Sequence, residues 1–199
     1  MSKKDGKIKT AEEIGYDISA AMNEEFHDES DRVVAILGGA YLDDVLENLL
    51  RAVFVKEGDA SESLLRPDAG LGSNGSRCQL AFCLGLIRKH QYDDLKQVAK
   101  IRNRFAHNYK SLSFDESPIR DWCAALQQPK LFESMPNKLF SGQERERMIA
   151  YVKGINVTPR QKFETTIICL FGSLLRRVKF VSQMDENKWF SQNPDRDIP

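Results

Sequence analysis

Arginine, asparagine and histidine stand close together in the segment 102–107, which reads RNRFAH. A guanidinium group can neutralise phosphate charge, and an imidazole can move protons near neutral pH. These residue types suit metal-independent cleavage of a phosphodiester, with His107 as general acid or base, Arg102 as phosphate clamp and Asn103 in support. Cations also favour the C-terminal end of a helix because of its dipole. The residues alone therefore leave a purely structural role open.

The segment lies near the end of a predicted amphipathic helix from Tyr92 to about Asn108. Its apolar positions recur at steps of three and four, as one buried helix face requires: Leu95, Val98, Ile101 or Arg102, and Phe105. Asn103 and His107 are four residues apart and share a face. Arg102 lies about 140° around the helix from His107, so only its long side chain could reach the same anion.

Three further cations surround this helix end and are the expected RNA-binding residues of such a site: Lys100, Arg104 and Lys110. A phosphodiester substrate with its own nucleophile is RNA, whose 2′-hydroxyl can attack the adjacent phosphate. One histidine cannot easily act as both base and acid in one turnover. We therefore expect a homodimer, in which a symmetric partner chain supplies the second histidine.

Apolar periodicity predicts several other helices, and no strand or repeat is apparent. They span Ser30 to about Lys56, 76–90, 117–128, 142–153, and a long helix opened by Thr158-Pro159. The short joint at 89–91 predicts an antiparallel or sharply angled helix pair. Gly38-Gly39 inside the first of these helices predicts close packing against another helix. The expected fold class is all-α, a compact antiparallel helical bundle.

The stretch 58–76 is predicted to be a loop. Its end, 70–75, matches the pattern G-x-G-x-x-G, but neither a strand nor a βαβ unit surrounds it. We therefore interpret it as the approach to a helix N-terminus rather than a dinucleotide site. No cofactor is expected.

Length, composition and charge limit the domain organisation and the classes of function that are possible. The chain has 199 residues, 41% of them hydrophobic, with 29 basic and 29 acidic side chains. This predicts one helical domain at 30–183, a polar N-terminal segment at 1–29 with a peripheral helix, and a loose tail at 184–199. Zero net charge argues against coating nucleic acid by bulk electrostatics, though not against a local basic cleft. No signal peptide or membrane-spanning segment is apparent, so we expect a cytoplasmic protein.

Cysteines and carboxylates give weaker signals. The four cysteines lack the close pairs of a zinc site and are predicted to be buried free thiols, with no metal expected: Cys78, Cys83, Cys123 and Cys169. Asp43, Asp44 and Glu47 form either a solvated acidic face or partners for Arg102 or Arg104 on another helix.

Several motifs together resemble the mannitol operon repressor (MtlR-like) family. They are the glycines at 70–72, QLAFCLGLI at 79–87, YDDL at 92–95 and the run at 101–108, with a weaker echo at 41–54. The resemblance implies an all-helical transcriptional regulator that acts through protein partners. It implies no DNA-recognition motif, and so no sequence-specific DNA contact of its own.

The pattern formed by Arg102, Asn103 and His107 also resembles the signature of the wider HEPN superfamily. Many of its members are metal-independent RNases, often toxins or defence proteins restrained by an antitoxin, that work as dimers with paired motifs. This resemblance implies an endoribonuclease with Arg102 and His107 at the two fixed positions and Asn103 at the favoured polar neighbour. Two functions therefore follow from the sequence. The leading expectation is RNA cleavage, and the alternative is a non-catalytic regulator of the mannitol-repressor type.

Overall fold

The computed structural model describes residues 21–22, 24–54, 59–128 and 158–183. In this part of the chain the secondary structure is helical and contains no strand, which confirms the all-α prediction. The helices are α1 (Asp31–Val53), α2 (Ala60–Leu65), α3 (Asn74–Cys83), α4 (Lys89–Ala106), α5 (Ile119–Ala124) and α6 (Pro159–Ser182). Among them, none is both long enough and apolar enough to cross a membrane.

Helix α1 forms the centre of the bundle. Ser30 caps its start as predicted, because the Ser30 hydroxyl accepts a hydrogen bond from the backbone N–H of Val33. Its buried face packs against both α4 and α6 and consists of Val34, Ala35, Gly38, Leu42, Val45, Leu46, Leu49 and Leu50. A helix with apolar positions over so wide an arc needs neighbours on more than one side.

Helices α1 and α6 run in the same direction. Arg160, at the start of α6, pairs with Asp31, at the start of α1, at 2.9 Å. Further along, the ring of Tyr41 on α1 lies 6.3 Å from the ring of Phe171 on α6. Thr158 caps α6 and Gln161 completes its capping box, which confirms the start predicted from Thr158-Pro159.

Helix α4 runs antiparallel to both of them. Near its start, the Gln91 amide donates to the hydroxyl of Ser173, late in α6, at 2.8 Å. Just beyond its end, the carbonyl of Asn108 accepts a hydrogen bond from Arg32, early in α1, at 2.6 Å. The C-terminal end of α4 therefore lies beside the N-terminal ends of α1 and α6.

The turn between α3 and α4 lies earlier in the chain than the predicted joint at 89–91. Helix α3 ends at Cys83, and Gly85 takes a left-handed conformation with φ +70° that only glycine adopts without strain. Helix α4 then starts at Lys89, three residues before the predicted Tyr92, where the Gln91 side-chain oxygen accepts a hydrogen bond from the Arg88 backbone N–H at 2.9 Å. Phe82 and Tyr92 stack across the two helices at 4.7 Å, so α3 and α4 pack against each other after a short turn, in agreement with the predicted antiparallel or sharply angled pair.

The predicted loop at 58–76 contains the short helix α2. Ion pairing of Glu62 with Arg51 and a hydrogen bond from Arg77 to the carbonyl of Leu65 attach it to α1 and α3. These are long-range contacts that periodicity cannot reveal. Ser73 caps α3, in agreement with the interpretation of the glycine-rich run as an approach to a helix start. A Cβ at Gly72 would lie 2.3 Å from the Pro67 carbonyl oxygen, so the chain requires glycine there.

Helix α5 ends at Ala124, earlier than the predicted Gln128. The carboxylate of Asp94 on α4 accepts hydrogen bonds from the backbone N–H groups of Gln127 and Gln128, at 2.9 and 2.8 Å. These contacts replace the helical hydrogen bonds that would have continued α5. The helix begins at Ile119 rather than at the predicted residue 117, and the Ser117 hydroxyl donates to the carboxylate of Asp121 at 2.8 Å.

The predicted helix at 142–153 and the predicted tail at 184–199 lie outside the described residues, as does most of the N-terminal segment. From that segment, residues 24–27 are helical. Phe26 is buried against the bundle, with its ring 6.4 Å from that of Tyr41.

Candidate functional site

The segment 102–107 lies where α4 ends. His107 is the C-cap, and its backbone N–H donates to the carbonyl of Asn103 at 3.0 Å. Past this point the guanidinium of Arg32 donates to two carbonyls, of Asn108 at 2.6 Å and of Lys110 at 2.7 Å. Two charge-assisted hydrogen bonds hold the chain in a non-helical path here, so α4 cannot continue.

An aromatic cluster supports the same end of the bundle from inside. The ring of Phe105 lies 4.9 Å from that of Phe114, which in turn lies 5.0 Å from that of Phe163. The carboxylate of Asp31 also accepts a hydrogen bond from the Phe114 backbone N–H, at 3.0 Å. The backbone on either side of His107 is therefore anchored to α1 and α6.

Arg102 is half-buried, and its side chain is directed along α1. The first part of its side chain lies against Gly39. A Cβ added at Gly39 would be only 3.2 Å from the Cβ of Arg102 and 2.8 Å from its Cγ. Its Nη1 donates to the Asn103 side-chain oxygen at 3.0 Å. Within the described part of the chain, no carboxylate pairs with this guanidinium.

His107 is exposed to solvent, and its ring makes no hydrogen bond to any described residue. The structure brings Arg102 and Asn103 together, but no contact among the described residues joins either side chain to the imidazole. This agrees with the separation of about 140° between Arg102 and His107 around the helix. One subunit thus presents an open imidazole and an open guanidinium on different sides of the helix end.

The three predicted RNA-binding cations all lie on the surface. Lys100 and Arg104 project from the exposed face of α4, and Lys110 follows its end. The Lys100 ammonium lies 4.1 Å from the ring centroid of Trp122 on α5. A cation over an indole ring keeps its full charge while its position is restricted.

The acidic residues of α1 do not pair with the candidate site. Asp43 pairs with Arg77 on α3 at 2.8 Å, and Glu47 pairs with both Arg77 and Arg51, at 2.7 and 2.8 Å. The predicted pairing with Arg102 or Arg104 is therefore wrong for Asp43 and Glu47, and the face that they form is partly solvated, with the two side chains 35% and 26% exposed. Arg77 follows a glycine-rich loop, and nothing in its local sequence indicates that it is buried.

Two of the four cysteines meet the prediction of buried free thiols. Cys78 and Cys123 are buried, and Cys169 is half-buried. Cys83 is exposed, contrary to the prediction, because it is the last residue of α3 and faces away from the core. Among the described residues, no group of metal-binding side chains is arranged to hold an ion.

Sequence reasoning missed two residues that build this site. Arg32 fixes the chain after α4, and no local pattern distinguishes it from a surface arginine. Gly39 accommodates the Arg102 side chain, and here the sequence contained an indication, because two adjacent glycines inside a helix predict close packing. The predicted close packing at Gly38-Gly39 is confirmed, with Gly38 against Ile167 on α6 and Gly39 against α4.

Comparisons with known proteins identify the family of this chain, which the geometry of the site alone does not. One solved structure that it resembles is the X-ray structure of the MtlR-HPr complex from Escherichia coli. The match has a TM-score of 0.58 and 19% identity, and it covers 79% of this chain and 98% of that chain. No curated protein matches by sequence. The family model described as mannitol repressor matches residues 24–169, and on that evidence the chain belongs to the MtlR family.

Proposed function

We propose that this protein is a regulator of the mannitol-repressor type that acts by binding an HPr-like protein. The observation that carries the proposal is the family match over residues 24–169. The fold likeness supports it, because the similar structure is that of an MtlR–HPr complex. RNA cleavage, the leading expectation from the sequence, has no comparable support. The regulator alternative is the better supported of the two.

The arrangement at the end of α4 is compatible with a regulator. The stem of Arg102 packs on Gly39, and its guanidinium bonds the neighbouring Asn103. The arginine thus has a role in helix packing that needs no substrate. Its position at a helix C-terminus also suits the helix dipole.

Isothermal titration calorimetry of the full chain tests the proposal directly. The titrants are the HPr protein of the organism that encodes this chain and, separately, HPr of Escherichia coli. We expect saturable binding of the HPr from the same organism, unchanged by His107→Ala. A folded protein that gives no heat and no complex on gel filtration with either HPr would refute the proposal.

A second function is supported by one observation: His107 is exposed at the helix end that also carries Arg102, whose guanidinium pairs with no carboxylate of the described residues. In this candidate, the RNA 2′-oxygen bonds to the adjacent phosphorus while the bond to the 5′-oxygen breaks. One histidine takes the 2′-hydroxyl proton, and the histidine of a second subunit protonates the leaving 5′-oxygen. Arg102 stabilises the charge on the non-bridging oxygens. A homodimer is therefore an essential part of this candidate.

Incubation of the protein with mixed RNA in EDTA distinguishes the two functions. RNA cleavage predicts products with 2′,3′-cyclic phosphate ends, lost in both His107→Ala and Arg102→Ala. Lys179→Ala, on the distant end of α6, is the matched control and should cleave normally. Intact RNA after prolonged incubation with wild-type protein, together with HPr binding, leaves the regulator as the function.

A further inference from the structure

Positive charge is segregated in this electrically neutral chain. Between Leu95 and Phe114 there are five lysines and arginines and no aspartate or glutamate, although the whole chain has 29 of each sign. The acidic residues just before this stretch are already engaged, since Asp93 pairs with Lys89 and the buried Asp94 accepts backbone hydrogen bonds. The surface formed by this stretch is thus strongly basic.

Three of these cations form a row on α4. Lys96, Lys100 and Arg104 recur every four residues, so they lie within an arc of about 80° and about 6 Å apart along the axis. All three are exposed, while Val98 and Phe105 on the opposite side are buried. With Tyr109 and Lys110, which follow the helix end, they form what we call the basic face.

The cations of the basic face are not neutralised by carboxylates of the described residues. Instead, the Lys96 ammonium lies 5.2 Å from the ring centroid of Tyr92, and that of Lys100 lies 4.1 Å from the ring of Trp122. Aromatic rings restrict an ammonium group without cancelling its charge. The row is therefore both charged and partly pre-ordered, which lowers the entropy lost when an anionic chain binds.

Tyr109 is the most exposed large hydrophobic side chain on the described surface, at 90%. The hydrogen bonds from Arg32 to the carbonyls on either side of it fix its backbone. An open aromatic ring on a fixed backbone, with the Lys110 ammonium 6.0 Å from its centroid, is a platform on which a nucleobase could stack.

We propose that the basic face binds single-stranded nucleic acid, with phosphates on Lys96, Lys100 and Arg104 and a base stacked on Tyr109. Protein interfaces are depleted in lysine and centre on an apolar cluster, which this surface lacks. The row from Lys96 to Arg104 is about 12 Å long, the length of about four stacked nucleotides. This activity goes beyond binding of a protein partner and requires no cleavage by His107.

Fluorescence anisotropy of the full chain with labelled 12-nucleotide oligouridylate and oligothymidylate, in EDTA and at several salt concentrations, tests this proposal. For single strands each neutralised phosphate contributes about −0.7 to the slope of log K against log salt. We expect a slope of about −2 to −3. In the triple variant K96Q/K100Q/R104Q most of this slope should be lost. Tyr109→Ala should weaken binding roughly five- to hundredfold and leave the slope unchanged.

Lys179→Gln is the matched control, because Lys179 is also exposed and lies outside the basic face. It should bind like wild type, and circular dichroism should show that every variant is folded. Binding without salt dependence, or equal weakening by Lys179→Gln, would overturn the proposal. Tighter binding of a labelled 12-residue polyglutamate than of either oligonucleotide would also overturn it and identify an acidic protein as the ligand.

Discussion

Gly39 on α1 and Arg102 on α4 are in direct contact where the two helices pack together. A Cβ at Gly39 would lie 2.8 Å from Cγ of Arg102 and 3.2 Å from its Cβ. Both atoms belong to the stem of the side chain, next to the α4 backbone, so neither can move aside freely. The absence of a side chain at position 39 thus determines how closely α4 approaches α1. It also determines where the Arg102 guanidinium can lie.

Gly39→Ala is therefore expected to destabilise the protein, although alanine is the better helix former. Overpacking at a helix contact costs about 1–3 kcal/mol, whereas replacing a helical glycine by alanine gains about 1 kcal/mol. We expect the free energy of unfolding in urea to fall by about 1 kcal/mol. In an Arg102→Ala background the same substitution should cost less, because the contact with Cγ is gone.

Gly172→Ala on α6 is the matched control. The nearest atom to a Cβ there is Nη1 of Arg176 at 3.6 Å, an ordinary van der Waals distance. Only the gain in helix propensity remains, so unfolding should require about 1 kcal/mol more. Equal effects of the two substitutions would mean that the close contact at Gly39 is absent in solution.

Arg77→Met should be among the most damaging single substitutions in this chain. Arg77 is only 6% exposed and pairs with Asp43 and Glu47. Removing this buried cation leaves Glu47 with Arg51 alone and Asp43 with the Asn74 amide alone, and costs about 3 kcal/mol. Thermal and urea unfolding should both show the loss, and the triple variant D43N/E47Q/R77M should recover part of it. Arg66→Met, exposed and outside any ion pair of the described residues, should change stability by less than about 0.5 kcal/mol.

The cysteines should differ sharply in reactivity. Burial raises the pKa of the Cys78, Cys123 and Cys169 thiols to about 12, so at pH 8 about one in 10⁴ of each is thiolate. Cys83 is exposed. Ellman's reagent should therefore titrate one thiol per chain rapidly in the native protein and four in denaturant. A Cys83→Ser variant that still reacts rapidly would contradict this assignment.

Asp94 should give stability a pH dependence opposite to that of most carboxylates. Burial raises the pKa of this side chain, against two backbone hydrogen bonds that lower it. Because the folded value lies above the unfolded one, the protonated acid is favoured by folding. Its stabilising contribution is complete below about pH 4 and is lost as the pH rises through the raised pKa. The free energy of unfolding of wild type, measured relative to that of Asp94→Asn, should therefore decrease as the pH rises above about 4. A difference that rises instead would refute the sign.

The sequence determined the long helices α1, α4 and α6, because their signals are local. Thr158 is a recognisable cap, and spacings of three and four place Val98 and Phe105 on the buried face of α4, although they leave the choice between Ile101 and Arg102 to the structure. The same spacing rule puts Arg102 and His107 on different sides of that helix. The motifs that carry the family resemblance, at 41–54 and 70–108, lie within the residues 24–169 that the family model matches.

Tertiary structure alone decided the partners of charged and polar groups. Arg77 is a buried partner of Asp43, Asp94 ends α5 from another helix, and Arg32 fixes the chain after His107, each across 30 or more residues of sequence. The reason is that periodicity reports which face of a helix is buried. Which carboxylate, carbonyl or glycine meets a given side chain depends on how the helices are set against one another.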